Sequence, residues 1–344
     1  QPRSRGLGDV YKRQVQNTPC PSFVHPVIVP DGFPRTKPRA LNVGLALAAG
    51  ELLCVFDAED VPEPDQLKLA AMMFAEAEPD VLCLQARLAI DNGPDGWLAR
   101  MLAIEYAALY DVIKSGLAGA GLPVPLGGTS NHFRRSSLIR LGGWDAWNVT
   151  EDADLGLRIA RARGRVVELP STTFEEAPIC LGGWLQQRRR WLKGWMQTGI
   201  CHGRMPLRVI DEMGLLAWLV AMLQVLGIVV GALTYPFFAI WVGWNLWTGD
   251  IFEAADPLML TANSLAICTL LAGFICMIVP ALIGLIRRRS WNLVPWVLTM
   301  PAYVLLVSLA AWFAMIDLVR RPFYWAKTEH GQGERRAEGV RSRP

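Results

Sequence analysis

Apolar residues are distributed in two regimes along this chain. Up to about residue 208 they come in short runs broken by charge, and from 215 to 316 they are nearly continuous. In the first regime, runs of strand length alternate with stretches of helical spacing. Residues 52–56 (LLCVF) form an apolar run that stops abruptly at Asp57. Residues 80–90 (DVLCLQARLAI) and 166–169 read as further strands, and 23–29 (FVHPVIV) as a short one closed by a Pro30-Asp31-Gly32 turn. Helical spacing marks 40–49, with Gly50 as C-cap. It also marks a helix opened by Pro62 and Pro64 and running to about 78, and then 97–115, 136–141, 152–163 and 181–198. The 152–163 helix carries acids in its first turn and Arg161 and Arg163 at its end, as the helix dipole favours. Residues 116–128, rich in Gly and Pro, read as a loop, from which 129–133 return toward the strand ends. The alternation predicts an α/β sheet covered by helices.

The second regime reads as membrane. Residues 215–247 are too long for one straight span of about 20 residues and short for two, with Tyr235-Pro236 a natural break. Residues 258–286 form one span and 293–316 another, with Pro295 and Pro301 near its start. Trp and Tyr gather near the ends, as at an interface. Three or four segments are therefore expected to enter a bilayer. The basic residues impose conflicting demands: Arg287-Arg288-Arg289 belongs on the cytoplasmic side, and so does Arg320-Arg321 with Lys327, yet a single span separates them. Either 293–316 lies in the interface or re-enters, or one basic cluster is outside.

Composition agrees with a soluble domain joined to a membrane domain: of 344 residues, 52% are hydrophobic, and the mean hydropathy is +0.26. The seven cysteines include no CxxC pair, and no His stands at metal-ligand spacing, which argues against a disulfide framework or a zinc site. Reduced thiols suit a cytosolic face. Residues 1–14 (QPRSRGLGDVYKRQ) show no periodic pattern and resemble translated adapter sequence, so they are expected to be non-native. Without them the formal net charge falls from +3 to 0, which removes any electrostatic case for nucleic acid.

Three clusters carry candidate chemistry. Asp57, Glu59 and Asp60 follow a buried strand, at the end of which open α/β sheets place ligands. Their oxygens suit Mg²⁺ or Mn²⁺ holding substrate phosphates; a solvated loop is the plainer alternative. Asp152, after Thr150-Glu151, is a candidate general base, or with Glu151 a helix cap. Gln187, Arg190 and Trp191 join an amide, a guanidinium and a ring able to stack on sugar, on a helix that could equally snorkel over anionic lipid. Lys37 and Arg39 could steady a nucleotide phosphate. Residues 127–132 (GGTSNH) offer small residues and hydroxyls, with His132 a structural hydrogen-bonder rather than a base.

Together, TKPRALN (36–42), FDAED (56–60), GGTSNHFR (127–134), TEDADLGLR (150–158) and QRRRW (187–191) resemble the membrane-bound family 2 glycosyltransferases of the cellulose-synthase-like, bacterial exopolysaccharide group. The likeness runs from about residue 23 to 330, and PFYWAKTEHG (322–331) adds to it. It implies a partial GT-A domain over 15–208 ending in a basic interfacial helix, transmembrane helices over 209–319 and a basic cytoplasmic tail over 320–344. It also implies a UDP- or GDP-linked sugar donor, inversion at the anomeric carbon, Mg²⁺ or Mn²⁺, a polysaccharide acceptor and membrane lipids as partners. The catalytic domain would face the cytoplasm at a bacterial inner membrane. Metal binding would fall to Asp57 and Glu59 or Asp60, the base to Asp152, and donor contacts to Lys37, Asp57, Thr129 and Ser130. Acceptor and diphosphate contacts would fall to Gln187, Arg190, Trp191 and Glu151. The metal motif reads Asp-Ala-Glu where Asp-x-Asp is commoner, and the first βα units of the family have no counterpart here, so an N-terminally truncated chain is expected. Single-sugar transfer to a lipid and a non-catalytic glycan-binding subunit are the competing readings.

Overall fold

A computed structural model describes residues 21–249 and 256–324. Its first part is a mixed five-stranded sheet in the order β1-β4-β3-β5-β2. These are β1 (Leu52–Val55), β2 (Val61–Pro62), β3 (Val81–Ile90), β4 (Asn131–Arg134) and β5 (Arg165–Glu175). The strand β3 is largely buried on both faces and takes the centre, parallel to β5 and antiparallel to β4. Helices cover both sides. On one, α1 (Lys37–Leu47), α5 (Arg135–Arg140) and α6 (Glu151–Arg161) bury Leu45, Leu138, Leu155 and Ile159 against Val55, Cys83 and Phe133. On the other, α2 (Gln66–Glu76) buries Ala70 and Phe74 against Leu84 and Leu169. Each such large aliphatic or aromatic side chain contributes about 1.5–3 kcal/mol.

Residues 23–29 do not form the expected strand. They run as exposed coil, with Phe23 79% and Ile28 64% exposed. Pro26 and Pro30 lack the N–H that a ladder requires. The 97–115 helix is real but interrupted. The α3 helix (Trp97–Ala108) passes into a π-helical turn, Leu109–Lys114, and then into α4 (Ser115–Gly119), inside the stretch expected to be loop. The wider turn brings Tyr110 and Lys114 to a single cavity.

The α7 helix (Leu181–Gly203) outruns its expected end, and the short α8 (Pro206–Met213) follows. Helix α9 (Leu215–Met222) continues through a π-helical turn, Leu223–Gly227, into α10 (Ile228–Thr248). Pro236 lies within α10, so the expected break is absent: a proline there removes one hydrogen bond without ending a helix of this length. After it come α11 (Pro257–Arg287), a 3₁₀ stretch (Trp291–Thr299) and α12 (Met300–Arg320). Among the described residues, three segments are thus long and apolar enough to cross a membrane, Leu215–Thr248, Pro257–Arg287 and Trp291–Arg320.

Two glycines set how closely these helices approach the α/β part. A Cβ at Gly194 of α7 would lie 2.3 Å from Thr150 Oγ1, and one at Gly284 of α11 would lie 2.3 Å from the carbonyl oxygen of Ala107 in α3. The basic α7 does not snorkel as the lipid reading allowed. Its Arg188 is buried against Glu105, and its Arg189 pairs with Asp317 of α12 at 2.7 Å.

Candidate active site

The strand ends, the π-helical turn and α7 enclose a cavity of about 430 Å³. Asp57, reached where β1 runs out of apolar residues, stands at one end with Glu59 and Asp60. Lys37, at the start of α1, forms an ion pair with Asp57 and donates to the carbonyl of Gly128 at 2.8 Å. Burial alone would lower the Lys37 pKa, but Asp57, Glu151 and Asp152 reverse this and hold it above its ordinary value. Thr129 accepts from the Asp57 amide at 3.1 Å and lines the cavity. Ser130 does not line it: it bends the chain at φ +56° and donates to Thr173 Oγ1 at 2.6 Å. Arg39 also lies elsewhere, on the carbonyl of Pro30.

The α6 helix opens with Glu151 and Asp152 in the cavity wall. A Cβ at Gly128 would lie 3.4 Å from Asp152 Oδ2 and 3.9 Å from Lys37 Nζ, so bare backbone floors the space between carboxylate and ammonium. Burial raises both carboxyls. Glu151, next to the charge of Asp152, reaches about 8, while Lys37 and Arg190 pull both back. Burial therefore favours the protonated form in both of these neighbouring acids.

Gln187, Arg190 and Trp191 of α7 line the same cavity. Trp191 is held by Arg188, whose guanidinium carbon lies 4.8 Å from its ring centroid. Arg188 in turn donates to Glu105 Oε1 at 2.7 Å and to Tyr303 Oη at 2.6 Å. A residue left outside the sequence-derived set thus fixes one inside it.

Asp57, Glu59 and Asp60 share the cavity, but no three acidic, His or Cys side chains close into a metal-ligand group among the described residues. Burial, then the charges of Asp57 and Glu59, push Asp60 up to about 7, and its Oδ2 is buried without a hydrogen-bond partner. An all-oxygen set with an unpartnered acceptor and mutual repulsion fits a hard divalent cation completed by other oxygens. His132 is buried edge-on to Phe56, and burial keeps it neutral, with a pKa of about 4, which leaves it no role as a base.

Sequence reading missed several residues of this cavity, Glu175, Tyr110 and Lys114 among them. Glu175 ends β5 as Asp57 follows β1, accepts from Tyr106 Oη at 3.1 Å, and is raised by burial to about 8. Its signal was available, an acid closing a strand, but the strand was expected to stop at 169. Tyr110 and Lys114 come from the π-helical turn, which no spacing rule marks; burial lowers Lys114 to about 8.

The profile described as Glycosyl transferase family group 2 matches residues 52–321. The chain belongs to this family. Its mixed α/β part is GT-A-like and is followed by the three long apolar helices. Among curated relatives, "Probable glycosyltransferase YdaM" of Bacillus subtilis is 28% identical over 174 residues, 50% of this chain and 41% of the relative. Beta-monoglucosyldiacylglycerol synthase of Trichormus variabilis is 29% identical over 165 residues, 47% of this chain and 34% of the relative. Poly-beta-1,6-N-acetyl-D-glucosamine synthase of Staphylococcus aureus is 27% identical over 161 residues, 46% of this chain and 39% of the relative. The chain therefore spans well under half the length of the relatives it matches. Among solved structures, a mannosyltransferase from Pyrobaculum calidifontis, in complex with GDP-Man and Mn²⁺, aligns with TM-score 0.40 and 21% identity, over 75% of this chain and 68% of that one.

Proposed function

We propose that this protein is an inverting glycosyltransferase that moves a sugar from a UDP- or GDP-linked donor to a growing polysaccharide at the cytoplasmic face of a bacterial inner membrane, coupled to export. One observation carries the reading: the Lys37–Asp57 pair, the Gly127-Gly128-Thr129 floor, Asp152 and the Gln187-Arg190-Trp191 wall all face one cavity. Lys37 and Arg190 supply fixed positive charge for a diphosphate. Trp191 and Trp195, one helical turn apart, both line the cavity and offer faces for sugar rings. Asp57 with Glu59 or Asp60 would hold Mg²⁺ or Mn²⁺, which when bound neutralises charge on the leaving diphosphate.

The chemistry assigned to this chain's own residues is a proton transfer. The acceptor hydroxyl oxygen bonds to the anomeric carbon as the bond from that carbon to the diphosphate breaks, and the electron pair leaves with the diphosphate. Asp152 Oδ2 takes the hydroxyl proton. Glu151 shares the proton held by the pair, and Glu175, with Tyr106, orients sugar hydroxyls.

The test is nucleotide release from membranes holding the protein, across a panel of nucleotide sugars. Release from one donor should fall about 10²–10⁴-fold in Asp152→Asn, as expected on losing a general base, and should vanish with chelator. Release that survives Asp152→Asn sinks the base assignment, and none from any donor favours a non-catalytic glycan-binding subunit.

A second acceptor has its own support. Leu109, Ile113, Val225 and Ile228 make one side of the cavity apolar, and Val225 and Ile228 belong to the first membrane segment. That side suits an acyl chain, hence single-sugar transfer to a lipid. Product length separates the two: a polymer ladder or one glycolipid.

A further inference from the structure

Lys114 closes the π-helical turn Leu109–Lys114 and lines the cavity with Tyr110. It is 8% exposed, and its Nζ lies 4.3 Å from the centroid of the Tyr110 ring. Tyr110 Oη abuts Gly127, next to the Gly128 floor between Asp152 and Lys37. Lysine is rarely buried unless paired, since an ammonium out of water needs acceptors for three N–H donors. The acids around it serve other cations. Asp57 pairs with Lys37, and Glu105 with Arg188. Asp111, on the same turn, accepts from Arg288 at 2.7 Å and lies 3.7 Å from Arg87. Glu168, which shares a small cleft with Lys114 behind the turn, lies 3.3 Å from Arg87 and accepts from Ser115. Among the described residues, no carboxylate forms an ion pair with Lys114. The turn itself is braced from outside. Arg288 also donates to the carbonyl of Leu88 at 2.7 Å, Arg287 to that of Asp111, and Ser115 Oγ to that of Tyr110 at 2.8 Å.

We propose that Lys114 is a specificity-determining residue whose ammonium binds a carboxylate on a sugar in this cavity, so that the protein acts on a hexuronate, as the transferred sugar or as the end of the acceptor. The proposal rests on the transferase reading of the previous section, which puts a sugar there. A cation buried without a counter-ion is satisfied when the ligand brings one. Methionine or leucine would fill the same wall without desolvating a charge. Hydroxyls alone do not call for a cation, because Thr129, Glu175 and Gln187 in the same cavity already donate or accept as neutral sugars require. Burial lowers Lys114 to about 8 against the opposing charges of Asp152 and Glu175, which leaves it mostly charged at neutral pH. Glu175, itself raised by burial to about 8, is mostly protonated there and can donate to a carboxylate rather than repel it.

The test compares matched ligands by isothermal titration calorimetry on the full chain in detergent. The pairs are UDP-glucuronate with UDP-glucose, GDP-mannuronate with GDP-mannose, and a glucuronate-ended with a glucose-ended oligosaccharide. In at least one pair the acidic ligand should bind roughly 10–100-fold tighter, as a charge-assisted hydrogen bond gives. A preference within a nucleotide pair puts the carboxylate on the donor, and one within the oligosaccharide pair puts it on the acceptor. In Lys114→Met the preference should vanish, and in Lys114→Arg it should largely return. The melting temperature of Lys114→Met should hold or rise, because an unpaired buried charge has been removed. Absence of nucleotide release from native membranes would sink the transferase reading alone, since the binding comparison needs no turnover. Equal binding within every pair, or a preference that survives Lys114→Met, overturns the proposal. So does a melting temperature that falls by several degrees in Lys114→Met, which would make Lys114 a structural prop.

Discussion

At the scale of single residues, the site is a problem of shared protons and fixed charges. Glu151 and Asp152 are both raised above the ordinary carboxylate range, first by burial. A raised base is protonated, and idle, at pH values where a free carboxylate of pKa about 4 would already be ionised. Activity should therefore rise with pH through a limb above that value. In Glu151→Gln the pair can no longer divide a proton, and the limb should move to lower pH, read from nucleotide release against pH. A limb that stays in place would show that the two acids titrate independently.

At the scale of elements, α7 organises the molecule, because it touches the first turn of α6, α3 and α12 at once. Gly194 is where it meets Thr150, immediately before the two acids. Gly194→Val should cost about 1–3 kcal/mol through overpacking, lowering the melting temperature, and should lower nucleotide release by displacing α6. Arg188 joins α3, α7 and α12 through Glu105 and Tyr303. Arg188→Met leaves the Glu105 charge without its cation and should destabilise by about 3–5 kcal/mol. Changing Glu105 to Gln in the same chain should return part of that loss, since the stranded charge is then gone; a double-mutant cycle in thermal melts measures it.

At the scale of the whole molecule, the catalytic domain and the apolar helices form one folding unit. Trp184, Met101 and Ile104 of the catalytic domain share a core with Ala281, Leu285 and Tyr303 of the apolar region. A chain ending at Gly214 would expose that core and open the Glu105–Arg188–Tyr303 contact. It should melt without a cooperative transition or aggregate on size exclusion; a monomeric, cooperatively folding product would refute this. Much of this organisation was legible in the sequence. Local patterns placed β1, β3, α6 and α7, because each is specified by its own apolar period and by acids or basic residues at its ends. The order of motifs named the family, and Lys37, Asp57, Asp152 and Trp191, which it singled out, line one cavity. What the sequence did not hold depended on partners distant along the chain. A strand at 23–29 failed for want of a ladder its prolines could join. The π-helical turn that aims Lys114 into the cavity and the extension of β5 to Glu175 answer to packing rather than period. Length and hydropathy marked Trp291–Arg320 as able to cross a membrane, and only the tertiary structure laid its alanines along α7, since an apolar period does not say which neighbour will cover it.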